Sequence, residues 1–158
     1  MQGIFGRDDG VVVSSPARAQ LIYLRTDGTV ARRINGLTTS FRVAPDGAGA
    51  GVLAITQGSI ARFDGAGARS TVFQRSGITP SALRRDGDGD IFFLAGTSVL
   101  AVRPDGSGLR LVLACVPTSP TDLTFDQASA GVGTSLYLST LGATFSVSDG
   151  DAILEVRR

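Results

Sequence analysis

Apolar and polar residues change places along this chain over short distances and never settle into a helical period. Val11-Val12-Val13, Leu21-Ile22-Tyr23-Leu24, Gly51-Val52-Leu53-Ala54-Ile55 and Ile91-Phe92-Phe93-Leu94 are brief apolar runs, each followed by turn-forming residues. Runs of this length, rich in β-branched and aromatic side chains, read as strands. Gly and Pro together supply 27 of the 158 positions and are spaced as turns, so almost no helix is expected.

The Asp-Gly dipeptides reveal an internal period. Asp9-Gly10, Asp46-Gly47, Asp86-Gly87 and the degenerate Asp126-Gln127 follow one another at separations of 37, 40 and 40. A second series, Asp27-Gly28, Asp64-Gly65, Asp105-Gly106 and Asp149-Gly150, runs beside it at separations of 37, 41 and 44. The last interval is stretched by the segment Gln127 to Thr134.

Reading each period out predicts four units of four strands. The first uses Gly3 to Arg7, Val11 to Ser15, Gln20 to Thr26 and Thr29 to Ile34. The second uses Ser40 to Pro45, Gly51 to Thr56, Ser59 to Phe63 and Ser70 to Gln74. The third uses Ser81 to Arg85, Asp90 to Ala95, Ser98 to Arg103 and Leu109 to Val116. The fourth uses Thr121 to Phe125, Ser135 to Thr140, Ala143 to Ser148 and Ala152 to Arg157. An antiparallel four-stranded unit of about 40 residues has the size of a β-propeller blade, and radial stacking explains strands that are apolar on both faces. A sandwich of many short strands would not produce this period. The expectation is an all-β protein, a single propeller-type domain over 1–158. Its blades lie at approximately 3–39, 40–80, 81–120 and 121–158, forming either a complete small ring or an open part of a larger one.

At Ile60-Ala61-Arg62-Phe63-Asp64-Gly65, Val99-Leu100-Ala101-Val102-Arg103-Pro104-Asp105-Gly106 and Val43-Ala44-Pro45-Asp46-Gly47 the sequence resembles NHL-type and gluconolactonase-like six-bladed propellers. The resemblance covers all four units, most clearly residues 40–116, and its motifs are turn motifs that specify blade architecture rather than function. Gluconolactonase-like enzymes hold a divalent metal in the central channel with Glu, Asn and Asp side chains. Here the only Glu, Glu155, falls in a predicted outermost strand and the only Asn, Asn35, in a loop, so that ligand set has no match. The related antibiotic lyases use a His as general base, and this chain has no His.

Composition narrows the chemistry further. Besides His, the chain lacks Lys and Trp, and Cys115 is its only cysteine. That excludes Ser-His-Asp and Cys-His catalysis, Schiff-base chemistry, a phosphate-loop lysine, an intramolecular disulfide and a Cys-based zinc site. All 15 basic residues are Arg and Asp outnumbers Glu by 13 to 1, a pattern that reads as codon bias. A net charge of +1 offers no field for nucleic acid or an anionic membrane, and no run approaches the roughly 18 apolar residues of a membrane span. A soluble chain without a visible signal peptide is expected, with its compartment open.

Asp86, Asp88 and Asp90 place carboxylates at alternate positions, like the start of a calcium loop, and form the metal candidate. Ile91 stands where such a loop requires Gly and Thr97 where it requires Glu, so a turn role is the competing and favoured reading. Arg42, Arg84 and Arg85, with Arg7, lie on predicted innermost strands and are candidates to bind a small anion in the channel. The competing reading pairs them with Asp8, Asp9, Asp86 and Asp122. Arg25, Arg62 and Arg103 recur in the register Arg-x-Asp-Gly, a scaffold signature. Cys115, within an apolar run, reads as a buried small residue. Ligand loops, where propellers use them, would be Asn35 to Thr39, Ser76 to Thr79 and Pro117 to Ser119.

The predicted strands begin with an inner one and end with an outer one, leaving no extra strand to close a ring across the termini. A closed four-bladed ring, a half ring that dimerises, and a segment completed by another chain all remain open; the open arc is favoured, because it fits the short blades. An open arc exposes apolar blade faces that must be covered. The expected partner is therefore the chain itself or another propeller-completing chain. The expected function is a non-enzymatic scaffold acting through protein contacts or self-assembly. The alternative is a small-ligand or metal-dependent, lactonase-like propeller with its site in the channel; no cofactor is expected beyond calcium.

Overall fold

The computed structural model describes residues 4–7, 9–37, 42–47, 51–114, 120–125, 135–141 and 151–157. The chain divides into two compact units, 1–75 and 76–158, each holding two antiparallel sheets.

In the first unit, sheet 1 is β1 (Ile4–Arg7), β2 (Gly10–Ser15), β3 (Gln20–Arg25) and β4 (Val30–Ile34), in that spatial order. Sheet 2 repeats the meander with β5 (Val43–Pro45), β6 (Val52–Thr56), β7 (Ser59–Phe63) and β8 (Arg69–Phe73). The β2–β3 connection is a single 3₁₀ turn at Pro16–Arg18, closed by Ala19 in the left-handed region. The β6–β7 hairpin turns on Gln57 and Gly58, both at positive φ (50° and 73°), as a two-residue connection between right-twisted strands demands.

The two sheets stack face to face. Val12, Leu21 and Tyr23 of sheet 1 meet Val43, Val52, Ala54, Ala61 and Phe63 of sheet 2, with Phe5 and Ile34 at the margin. The first strands β1 and β5 approach one another. Every residue of β6 is buried, so its unbroken apolar run reflects a strand covered on both faces. Each fully buried Leu or Ile side chain here is worth about 1.5–3 kcal/mol of transfer free energy.

In the second unit, sheet 3 is β9 (Pro80–Arg85), β10 (Ile91–Ala95), β11 (Ser98–Val102) and β12 (Arg110–Leu113). Sheet 4 is β13 (Pro120–Phe125), β14 (Ser135–Leu141) and β15 (Asp151–Arg157). Ala82, Phe92, Leu94, Val99 and Ala101 of sheet 3 pack on Leu123, Leu136 and Leu138 of sheet 4. The Phe92 and Phe125 rings meet edge to face, 5.0 Å apart at 82°.

The predicted strands form, with one change of place. Ala152 to Arg157, expected as the outermost strand of its unit, pairs directly with β14, from Ser135↔Arg157 to Leu141↔Asp151. Two seven-residue strands in continuous register make that pairing, which puts Glu155 opposite Tyr137 in the third position rather than at an outer fourth. The strand expected at Ala143 to Ser148 lies outside the described residues, as do Asp8, Cys115, Pro117 to Ser119, Thr38, Thr39 and Gln127 to Thr134.

Candidate functional site

Strand alternation divides sheet 4 into two unlike faces. Leu123, Leu136 and Leu138 point into the core and are at most 3% exposed. Their neighbours Asp122, Thr124, Tyr137 and Ser139 belong to the other side, where a hollow of about 220 Å³ opens. The strand segments at Leu123 and Leu138 form its floor, and Arg84 reaches it from β9.

Polar groups around the hollow are tied to one another. Arg84 NH2 donates to Asp122 Oδ2 at 3.4 Å, and its NH1 donates to the Leu83 carbonyl at 2.8 Å. Asp122 Oδ1 accepts the Leu123 N–H at 2.9 Å. Thr121 Oγ1 lies 3.1 Å from Ser139 Oγ and 3.3 Å from the Ser139 carbonyl. Both side chains of the Arg84–Asp122 pair keep 31% of their surface exposed, so water screens the pair and its net worth is at most about 1 kcal/mol. The arrangement can donate from a guanidinium, accept at a carboxylate and stack on the Tyr137 ring.

Of the arginines proposed for the channel, Arg84 lines this hollow. Arg85, its neighbour on β9, sends Nε to the Gly89 carbonyl at 3.1 Å, inside its own turn. Arg42 is half-buried in the first unit, and its carbonyl accepts the Ile55 N–H at 3.0 Å.

Asp86, Asp88 and Asp90 take up turn positions. Asp86 Oδ1 accepts the Asp90 N–H at 2.8 Å, Asp90 Oδ2 accepts Arg110 NH2 at 2.6 Å, and Asp88 is exposed. Among the described residues no group of three or more acidic, His or Cys side chains is placed to hold a metal ion. The same turn chemistry recurs at Asp27, Asp64 and Asp105. Asp64 Oδ1 accepts the N–H groups of Ala66 and Ala68 at 2.9 and 2.8 Å. The Thr29 hydroxyl and then its N–H hold the Asp27 carboxyl below the usual range; the Ser107 N–H and then its hydroxyl do the same for Asp105.

The repeated Arg-x-Asp-Gly register is not repeated in space. Arg25 and Arg103 start equivalent turns, their N–H groups bonded to the carbonyls of Thr29 and Ser107, whereas in sheet 2 that place belongs to Asp64, bonded to Ala68. Arg62 sits inside β7 and pairs with Asp46 instead. Sequence reasoning missed Thr124, Tyr137 and Ser139, although the alternation Leu136-Tyr137-Leu138 already separates Tyr137 from the core face. It also missed Arg32, whose guanidinium lies 4.1 Å from the Tyr23 ring centroid.

No family profile matches the sequence, and no curated protein does. Solved structures do match in fold. A streptogramin B lyase shares 13% identity at a TM-score of 0.68, covering 99% of this chain and 54% of its own. A putative gluconolactonase shares 20% identity at 0.70, covering 98% and 58%. A chain of a nidogen–laminin complex shares 15% at 0.63, covering 99% and 58%. The chain thus spans about half the length of the structures it matches. At these identities the likeness shows the fold alone, a β-propeller architecture. Among the described residues no helix is long and apolar enough to cross a membrane.

Proposed function

We propose that this chain is a non-enzymatic propeller-type scaffold that acts through protein contacts, first of all by self-assembly. One observation carries the reading: Ile4, on the first strand of the first sheet, is 70% exposed in a fold whose other large apolar strand residues are mostly buried. The residue inventory supports it, because a chain without His or Lys is left with carboxylates as its main candidates for a general base. So does the use of Asp46, Asp86, Asp90 and Asp122 in ion pairs and turns. The test is the mass in solution by light scattering over a concentration range. A mass above that of one 16.3 kDa chain is expected, and a monomer at every concentration would overturn the reading.

A second reading, a small-ligand or lactonase-like propeller, draws on the hollow between Arg84 and Tyr137. Lactone hydrolysis assayed with and without calcium distinguishes the two. Turnover that is lost in an Arg84→Ala variant would favour this reading over the scaffold.

A further inference from the structure

We propose that the outward face of sheet 1 is a docking surface for sheet 4 of a second copy of this chain. The proposal rests on the assembly reading above and names the surfaces that perform it.

The repeat supplies an internal control. Ile4, Val43, Leu83 and Leu123 occupy matching places on the four first strands, opposite Val13, Ala54, Phe93 and Leu138 on the second strands. Val43, Leu83 and Leu123 are exposed by 4%, 0% and 1%, while Ile4 is exposed by 70%. Ala54, Phe93 and Leu138 are each 0% exposed, while Val13 is only half-buried. In sheets 2 and 4 this face is covered by the side chains of the preceding sheet. On sheet 1 the equivalent face carries Ile4, Val11, Val13, Ile22 and Leu24 in adjoining registers, all apolar and all partly open. A side chain type that is buried at three equivalent places and exposed at the fourth marks a face suited to a further sheet contact.

What covers the face follows from the direction of stacking. Within each unit the face of one sheet that bears Val12 and Tyr23, or Phe92 and Leu94, packs on the opposite kind of face of the next. The surface of that first kind on sheet 4 bears Tyr137, in the place that Phe92 holds on sheet 3, together with Asp122, Thr124 and Ser139. Its charged group does not forbid burial, because the Asp122 carboxylate already takes Arg84 and the Leu123 N–H. Ser139 is likewise engaged by Thr121. The hollow beside Tyr137 receives Ile4 of the second copy, a protruding apolar side chain entering a recess beside an aromatic ring. A contact of two sheet 1 faces would be isologous, and no stacking within either unit is of that kind.

Two outward substitutions test this in the 158-residue chain: Ile4→Asp, which puts a charge on the sheet 1 face, and Thr124→Arg, which fills the hollow. Both positions are exposed, so circular dichroism and the melting temperature of each variant should match the unsubstituted chain. The unsubstituted chain is expected to gain mass with concentration, and each variant alone to stay near 16.3 kDa. An equimolar mixture of the two variants retains one intact surface on each partner and is expected to reach twice that mass. If the unsubstituted chain associates and neither variant weakens it, the assembly reading stands and these surfaces are wrong. If Ile4→Asp abolishes association while Thr124→Arg leaves it intact, the partner surface is not sheet 4. A monomeric unsubstituted chain overturns both the surfaces and the assembly reading.

Discussion

Arg62 of β7 grips the carboxylate of Asp46, its Nε donating to Oδ2 and its NH2 to Oδ1 at 3.2 Å. Asp46 directly follows β5, the first strand of sheet 2, and Arg62 lies on the third, so the pair straps the meander across β6. Gly51 makes room for it, because a Cβ at that position would lie 3.2 Å from the Asp46 Cβ and 3.3 Å from Oδ2. Asp46 keeps only 12% of its side-chain surface exposed and Arg62 31%.

Either Arg62→Ala or Asp46→Ala is expected to cost about 1–2 kcal/mol, between the value of an exposed ion pair and that of a charged hydrogen bond in a dry setting. The double variant should cost clearly less than the two losses added together. Urea unfolding of all four proteins checks this as a double-mutant cycle, and strict additivity would deny the pair any coupling.

Gly10 and Gly28 both have positive φ, yet substitution should separate them sharply. A Cβ on Gly10 would fall 1.9 Å from the Leu24 carbonyl oxygen, a backbone atom that cannot yield, whereas nothing lies within 4 Å of one on Gly28. Gly28→Ala should lose about 1 kcal/mol through backbone strain alone. Gly10→Ala should lose several times as much or fail to accumulate as folded protein, read from thermal melts of both.

Gln57 holds φ 50° in the β6–β7 turn without the compensation that Asn or Gly enjoys there. Gln57→Asn is expected to raise stability by about 0.5–1 kcal/mol, measured as a shift in the urea midpoint at unchanged slope.

The lowered pKa values of Asp27 and Asp105 set an acid limit on their turns. A carboxylate whose folded pKa is depressed stabilises the fold above its unfolded value near 3.9. That contribution fades as pH falls through the folded value. The amide resonances of Thr29 and Ser107 should therefore titrate at a pH below that of an unstructured Asp. A midpoint at or above the unstructured value would contradict the bonds seen here.

Millimolar calcium should leave the melting temperature unchanged, because Asp86 already caps Asp90 and Asp90 is held by Arg110. A rise abolished by Asp88→Ala would instead assign the loop to the metal.

Sequence periodicity was most informative where structure is local. The strands Val52–Thr56 and Ser59–Phe63 follow from an apolar run, a two-residue turn and a second run, all set by neighbours within a few residues. The Asp-Gly series likewise encodes turns whose hydrogen bonds span four residues, as from Asp86 to Asp90. Long-range pairing was less legible. Arg62 shares its motif with Arg25 and Arg103, yet its place two residues back along the strand turns it toward Asp46, which no local rule reveals. Ala152 to Arg157 has the pattern of a strand whichever neighbour it joins, and only the register with β14 decides that it stands third.

By itself, then, the chain's pattern of apolar runs and glycine-marked turns determined an all-β protein of four repeated sheets, since strand and turn formation depend on residues near one another. The absence of His and Lys set the chemical repertoire for the same reason, being a property of composition alone. Tertiary structure decided which equivalent residues are covered. Ile4 and Leu123 are interchangeable as sequence, both apolar in a first strand, and they differ in that sheet 3 lies against Leu123 while Ile4 is left open. Burial is a property of what surrounds a side chain, and the faces left open on this chain emerge only when its sheets are stacked.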